Sequence, residues 1–477
     1  MSLPLGSSIA PTRVRYSILG LLCLLAMITY LDRAMYGSAK GDMMRAVGHD
    51  VSDFFYVLTA FQLAYALFEI PTGWLGDRFG PRSTLIRIVL WWSLFVGLTG
   101  FAGMVFPGTE FVVIGFGLLL GMQFLFGIGE AGAFPNISKS AYNWFPAGQR
   151  GFAKGAVWMS ARLAGGLTPL LWVVLTVILG LDWRQALWLF AGVAALWCLA
   201  FYLWFRNTPS EHPATNRAER DLIEAGKSKT ARLAVPWGKL LTSRNLWAVC
   251  LMYTVTNFNW YFLMYYLPGA FKAEYIRSQM EQADGPLALA GGAGATGSEM
   301  LHGDLITPAL LGGGPLLIGM IGCYLGGVLS DRYVRKTGDR KWGRRIFGML
   351  GYGLAGIAYA AAALTTGGNF WIFATCLILV GLFNDLIMGP AWATTQDIGG
   401  RYSAIVGGAM NMIGNLGAAL GNYITGRILK EYAGAEGQVI CFTMYACVYG
   451  VGVFLWLLID PTKPVVPDDH AKDTATA

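Results

Sequence analysis

Apolar runs of about twenty residues recur along this chain, each closed by a short polar or basic connector. A run of that length crosses the hydrocarbon core of a bilayer as one helix. The first six fall near 16–38, 53–75, 83–105, 111–143, 150–179 and 184–205. The second six fall near 246–270, 305–330, 345–366, 370–396, 402–428 and 438–459. The pattern predicts an all-α polytopic membrane protein of twelve transmembrane helices in two pseudo-symmetric six-helix halves. The fourth run is long enough to leave the bilayer or to kink at Pro135. The expected division is an amino-terminal bundle over 1–205, a basic linker over 206–245 with a short helix at Arg217–Glu224, a second bundle over 246–460 and a polar tail over 461–477.

Composition sharpens this picture. Of 477 residues, 55% are hydrophobic and only 13% charged, about half the charge of an ordinary soluble chain. The net charge of +7 does not point to nucleic acid, because the basic residues cluster in short connectors on alternate sides. Arg13 and Arg15, the Arg78/Arg82 loop, Lys139/Arg150/Lys154 and the 331–345 loop place both termini and the linker in the cytoplasm. The chain is therefore expected to be a multi-pass protein of an inner (plasma) membrane, and a monomer. The first run carries Asp32 and Arg33 and no A-x-A site, unlike a signal peptide. The seven cysteines fall in apolar runs without metal spacing and read as small core residues. No metal or cofactor is expected, and the glycine-rich stretch 291–299 reads as an external loop without chemistry.

The halves echo each other. GWLGDRFGPRSTL (Gly73–Leu85) follows the second run, and GGVLSDRYVRKTGDRKWGRR (Gly326–Arg345) follows the eighth. Repeated halves with a shared motif suit alternating access around a central site. Asp77, Arg78, Asp331 and Arg332 in these motifs are read as gating residues that bond neighbouring helix ends in one state only. Glu69 is grouped with them, near the cytoplasmic surface and too far from the midplane to bind substrate.

Ions inside the apolar runs are costly and therefore point to function. They are Asp32, Arg33, Glu69, Arg87, Glu130, Arg162 and Asp385, mostly in the first half. In ITYLDRAMYGSA, Tyr30 and Arg33 share a helix face and offer a phenol and a planar fork to a carboxylate. Asp32 must find a partner elsewhere or bind a proton; the plainer reading is an ion pair stapling two spans. Burial disfavours the charged form of Glu130, making it a proton carrier, unless it is tied to Arg87 or Arg162. Histidines cannot serve, since His49, His212, His302 and His470 lie outside every run. Arg162, in a glycine-rich run, is a second anion-gripping candidate or a structural partner of Glu130 or Asp32. The second half offers amides and rings instead: Asn257, Asp385, Trp392, Asn411 and Asn415. These suit a polyhydroxylated solute, or simply join neighbouring helices.

The motif GWLGDRFGPRSTL resembles the signature loop of the major facilitator superfamily. YLDRAMYGSA, GIGEAGAFPN, RNTPSEHPATNRAER and GGAMNMIGNLGAALGNYITG are similar to its anion:cation symporter family. That resemblance implies substrate binding at Tyr30 and Arg33, proton coupling at Asp32 and Glu130, and a binding asparagine at Asn411 or Asn415. It also implies an arginine where this chain has Gln123, a departure that removes a charge two turns before Glu130. The expectation is a secondary active transporter, not an enzyme, in which protons drive symport of a small organic anion such as an aldonate, aldarate or hexuronate. An aromatic or dicarboxylic acid substrate, or a non-transporting membrane sensor, are the alternatives.

Overall fold

The computed structural model describes residues 10–106, 108, 112–146, 149–225, 236–283, 305–432 and 434–466. The stretch 291–299 and the end of the polar tail lie outside the described residues. The long helices are α1 (Val14–Ala46), α2 (Phe54–Phe79), α3 (Pro81–Thr99), α4 (Phe116–Trp144), α5 (Arg150–Ile178) and α6 (Trp183–Trp204). They continue with α7 (Arg244–Tyr261, a π turn Phe262–Tyr266, then Leu267–Ala283), α8 (Ile306–Thr337), α9 (Arg340–Thr365), α10 (Phe370–Gly399), α11 (Ser403–Glu431) and α12 (Ala435–Leu458). Among the described residues, nine helices are long and apolar enough to cross a membrane. The others, α3, α7 and α11, carry more polar residues and pack in the same bundle. Large apolar side chains face outward, with Leu364 87% and Phe454 69% exposed, while Asp32, Arg33, Glu69, Glu130, Arg162 and Asp385 lie inside. That inverted pattern suits lipid as the surrounding solvent.

Helix ends differ from the hydropathy in a consistent way. α3 stops at Thr99 rather than near 105, with Gly100 as its cap, and Gly103 then turns the chain at φ +70° against the Ala46 carbonyl. α7 runs on to Ala283 and α8 to Thr337, since a helix continues into water wherever its own hydrogen bonds suffice. The cysteine expectation needs correction: Cys447 is exposed and Cys23, Cys323 and Cys376 are half-buried. Hydropathy does not separate a core-facing side chain from a lipid-facing one.

α4 breaks at residues 131–132 and α10 at residue 387. Each break lies just ahead of a proline, Pro135 or Pro390, whose ring excludes the carbonyl four residues back and lacks an N–H to bond it. The second helix of each half packs against the broken one through small residues. A Cβ on Gly76 would strike Asn136, and one on Gly326 would strike the Leu386 carbonyl, the group that Pro390 leaves without its helical donor.

The linker helix Arg217–Glu224 forms where the polar stretch predicts it, capped by Asn216. Its buried Glu219 reaches the start of α1, accepting from the backbone N–H of Val14 (3.2 Å) and Arg15 (3.2 Å) and from Arg15 Nη1 (3.0 Å). A carboxylate here satisfies free N–H groups and meets the positive end of the helix dipole. Glu219→Ala is expected to destabilise the fold by about 2 kcal/mol, read as a lower melting temperature in detergent. His212 lies edge-on to Trp144 and Trp204, and burial, aided by the nearby Arg206, holds its pKa below the usual value.

Helices of the first six meet the last six mainly through α2 along α11, α5 along α8, and α1 against the π turn of α7. Lys430 pairs with Asp53 at 2.6 Å, Lys40 Nζ donates to the Tyr265 carbonyl at 2.8 Å, and Gly426 leaves room for Phe55. These contacts lie at the end of the bundle opposite the basic loops, which is therefore closed. Midway, a Cβ on Gly313 would overlap the Gly166 carbonyl. Gly313→Ala is expected to disfavour this closed state by roughly tenfold. Spin labels at Ile178 and Ile306 should then separate in pulsed-resonance distance measurements; an unchanged distance would show that the glycine contact does not set the closure.

Candidate functional site

The site starts from α1, whose buried middle brings Tyr30, Asp32 and Arg33 to three different neighbours. Arg33 Nε donates to Glu130 Oε1 at 2.7 Å, and its Nη1 to the Tyr261 hydroxyl at 3.4 Å. Its guanidinium carbon lies 4.6 Å from the Tyr65 ring centroid and 5.5 Å from that of Phe61. Asp32, on the adjacent face, accepts from Trp92 Nε1 of α3 at 3.1 Å. Glu130 ends the first segment of α4, immediately before the break set by Pro135.

Arg162 of α5 reaches across to the second half. Its Nη1 donates to the Tyr30 hydroxyl and its Nη2 to Asp385 Oδ1, both at 3.1 Å. Its Nε stands 2.9 Å from Asp385 Oδ2 but is misaligned, leaving that oxygen without a hydrogen bond. The Trp260 ring lies 3.8 Å from the Arg162 guanidinium carbon. Asp385 also accepts from Asn384, whose carbonyl takes a bond from the Tyr449 hydroxyl.

Several sequence expectations change here. Tyr30 does share a face with Arg33, but its hydroxyl serves Arg162 in this state. Glu130 pairs with neither Arg87 nor Arg162 but with Arg33; Arg87 is exposed and lies over the Phe79 ring, with its charge toward the helix end. Asp385 is not a free binder of hydroxyls, since it is the ion partner of Arg162. Glu69 is not a surface residue: it is buried, and Asn411 Nδ2 donates to it at 2.5 Å across the two halves. The reason is that α2 extends to Phe79, ten residues past Glu69, or about 15 Å of helix.

The motif carboxylates are also engaged differently. Asp77 accepts from Lys139 of α4 at 2.5 Å, and Asp331 from Arg344 of α9 at 2.6 Å. Both bonds use side chains rather than helix N-termini, and both stay within one half. Arg78 lies over Trp74 and Phe79, and Arg332 is exposed. Asn415 donates to the Asn411 carbonyl at 3.0 Å, along their own helix.

Buried polar atoms without hydrogen bonds gather around this centre. They include Asp32 Oδ1, Arg33 Nη2, Glu69 Oε2, Gln123 Nε2, Glu130 Oε2, Asn257 Nδ2 and Trp392 Nε1. A buried polar group without a partner is costly, so these atoms are candidates for contact with a polar guest. Tyr65 and Trp92 carry no signal in the sequence, whereas Trp260 and Tyr261 fall in the aromatic, amide-rich stretch Asn257–Pro268 whose rings suit a solute without being singled out one by one. Lys40, Asp53 and Lys430 were missed because they sit at run ends, where charge is unremarkable.

Comparison with known proteins agrees with this architecture. The chain is 29% identical over 469 residues to the probable sulfoacetate transporter SauU of Cupriavidus necator, covering 98% of each chain. It is 27% identical to the probable galactarate/D-glucarate transporter GudP of Escherichia coli K12, covering 92% of each. Against the D-galactonate transporter of Escherichia coli O6:H1 the identity is 26%, over 92% of this chain and 94% of the relative. A bacterial homologue of the human lysosomal transporter Spinster, in an inward-facing and occupied conformation, superposes with a TM-score of 0.66 at 18% identity. That match covers 94% of this chain and 97% of the other. The family model described as Major Facilitator Superfamily matches residues 22–422, and this integral, multi-pass membrane protein belongs to that superfamily.

Proposed function

We propose that this protein is a proton-coupled symporter that carries a small organic anion by alternating access, its two six-helix halves rocking about the central site. One observation carries the reading: the buried Arg33–Glu130 bond, with Arg33 Nη2 and Glu130 Oε2 both left open. An incoming carboxylate or sulfonate competes with Glu130 for the guanidinium. A buried carboxylate that loses its cation is strongly penalised, so Glu130 takes a proton as the anion binds. Asp32, bonded only on Oδ2, is the second proton acceptor. Asn257 Nδ2 and Trp392 Nε1 are available to substrate hydroxyls, and Asn411 becomes so when the Glu69 bond opens.

The relatives named for sulfoacetate, galactarate/D-glucarate and D-galactonate support a small organic anion, with sugar acids the leading class. In this reading the basic loops are cytoplasmic, the closed end is external, and the substrate leaves inward as the carboxylates deprotonate. The test is uptake of a radiolabelled sugar acid into proteoliposomes. Accumulation should follow an imposed inward proton gradient and stop when a protonophore collapses it. Uptake indifferent to the gradient would indicate facilitated diffusion and overturn the symport reading.

A further inference from the structure

We propose that the substrate is a short dianion whose second anionic group takes Arg162, with Asp385 accepting a proton as it is displaced. This rests on the symport reading above and extends it to the substrate class and to a third coupling group, beside Glu130 and Asp32.

The two ion pairs are versions of one device. In EAGAFP (Glu130–Pro135) and DLIMGP (Asp385–Pro390), a carboxylate stands five residues before the proline that breaks its helix. Each carboxylate is fully buried and holds one arginine. The arginines flank a single ring: the guanidinium carbons of Arg33 and Arg162 lie 5.7 and 5.8 Å from the Tyr30 centroid. The separation of the two cations cannot exceed the sum of those distances, which is the reach of a short chain with an anionic group at each end.

The second pair is also poised to exchange partners. Arg162 approaches both carboxylate oxygens, Oδ1 through Nη2 at 3.1 Å and Oδ2 through Nε at 2.9 Å, but only the first contact is aligned as a hydrogen bond, so the pair falls short of a full fork. The groups facing Asp385 are Arg162 from α5, Cys323 from α8, Tyr253 from α7 and Tyr449 from α12. Arg162 alone among them is a cation. A monoanion on Arg33 leaves this pair intact. A dianion takes Arg162 as well, stranding Asp385 without a counter-ion, and a proton from the external water then neutralises Oδ2 and leaves to the opposite side after release. Because Arg162 and Asp385 belong to different halves, their exchange also removes an ionic contact between the moving bodies.

Matched probes isolate the second charge: D-glucarate against D-gluconate, and sulfoacetate against acetate. In proteoliposomes the dianion of each pair should be preferred by roughly 30-fold or more. Arg162→Gln should reduce that preference to near unity. Asp385→Asn should still carry the dianion, with one proton fewer per cycle by reversal-potential measurement. The double variant Arg162→Gln/Asp385→Asn leaves no stranded ion, so it retains the fold by melting curve, and it should carry monoanions preferentially. Equal transport of both members of each pair, or an unchanged proton count in Asp385→Asn, would overturn the dianion assignment while pH-driven uptake kept the symport reading. Absence of pH-driven uptake for every probe would remove both.

Discussion

Arg33→Lys is expected to weaken anion binding by about 100-fold, or close to 3 kcal/mol. The wild-type guanidinium serves three purposes at once. Nε bonds Glu130, Nη1 approaches Tyr261, and Nη2 is left for a guest. Its plane sits among Tyr65, Phe61 and Tyr30, a cage suited to a flat, weakly hydrated cation. A lysine ammonium concentrates its charge at one point, is harder to desolvate and cannot present two parallel N–H groups to a carboxylate or sulfonate. Charge is conserved, so the loss reports geometry rather than electrostatics. The measurement is ligand-induced thermal shift or calorimetric titration on purified protein, accompanied by the KM for uptake. Near-normal affinity in the lysine variant would show that this arginine does not grip the anion.

How far the sequence revealed this site depended on what each residue's surroundings could disclose. Asp32, Arg33, Glu130 and Arg162 stood out because charge within an apolar run is conspicuous. Their partners did not, since Arg33 and Glu130 are 97 residues apart and helical periodicity says nothing about which helices meet. Glu69 was misplaced because hydropathy marks where lipid-compatible residues end, whereas α2 continues as a helix to Phe79. The closure residues Lys40, Asp53 and Lys430 sit at run ends, where a solvated charge is the ordinary expectation. The matching carboxylate-x4-proline spacing in α4 and α10 is present in the chain but says nothing by itself. It gained meaning only once both breaks and both arginine partners were in place. The short helix Arg217–Glu224 was legible from its own composition, yet its grip on the start of α1 through Glu219 was not, because that contact is purely tertiary.

Glu130→Gln is expected to abolish uphill accumulation while leaving exchange largely intact. Glutamine has nearly the shape of a protonated glutamate, so the variant mimics the loaded carrier. Without the competing carboxylate, Arg33 is free for the anion at any pH, and binding should be as tight as in the wild type at low pH or tighter. In the wild type the sign is fixed by the exchange: protonating Glu130 frees the arginine, so affinity rises as pH falls. In the variant the part of this dependence that Glu130 supplies should vanish and the profile should flatten. Exchange of external for internal anion moves the carrier only in its loaded form, and that form is intact. Net accumulation also requires an empty return in which the carboxylate has released its proton and again neutralises Arg33. Glutamine cannot do this, so the return leg fails or proceeds without linkage to the gradient. In proteoliposomes the internal-to-external ratio should fall to about one, with counterflow within about threefold of wild type. Accumulation at the wild-type level would remove Glu130 from coupling and leave its bond to Arg33 as a structural pair.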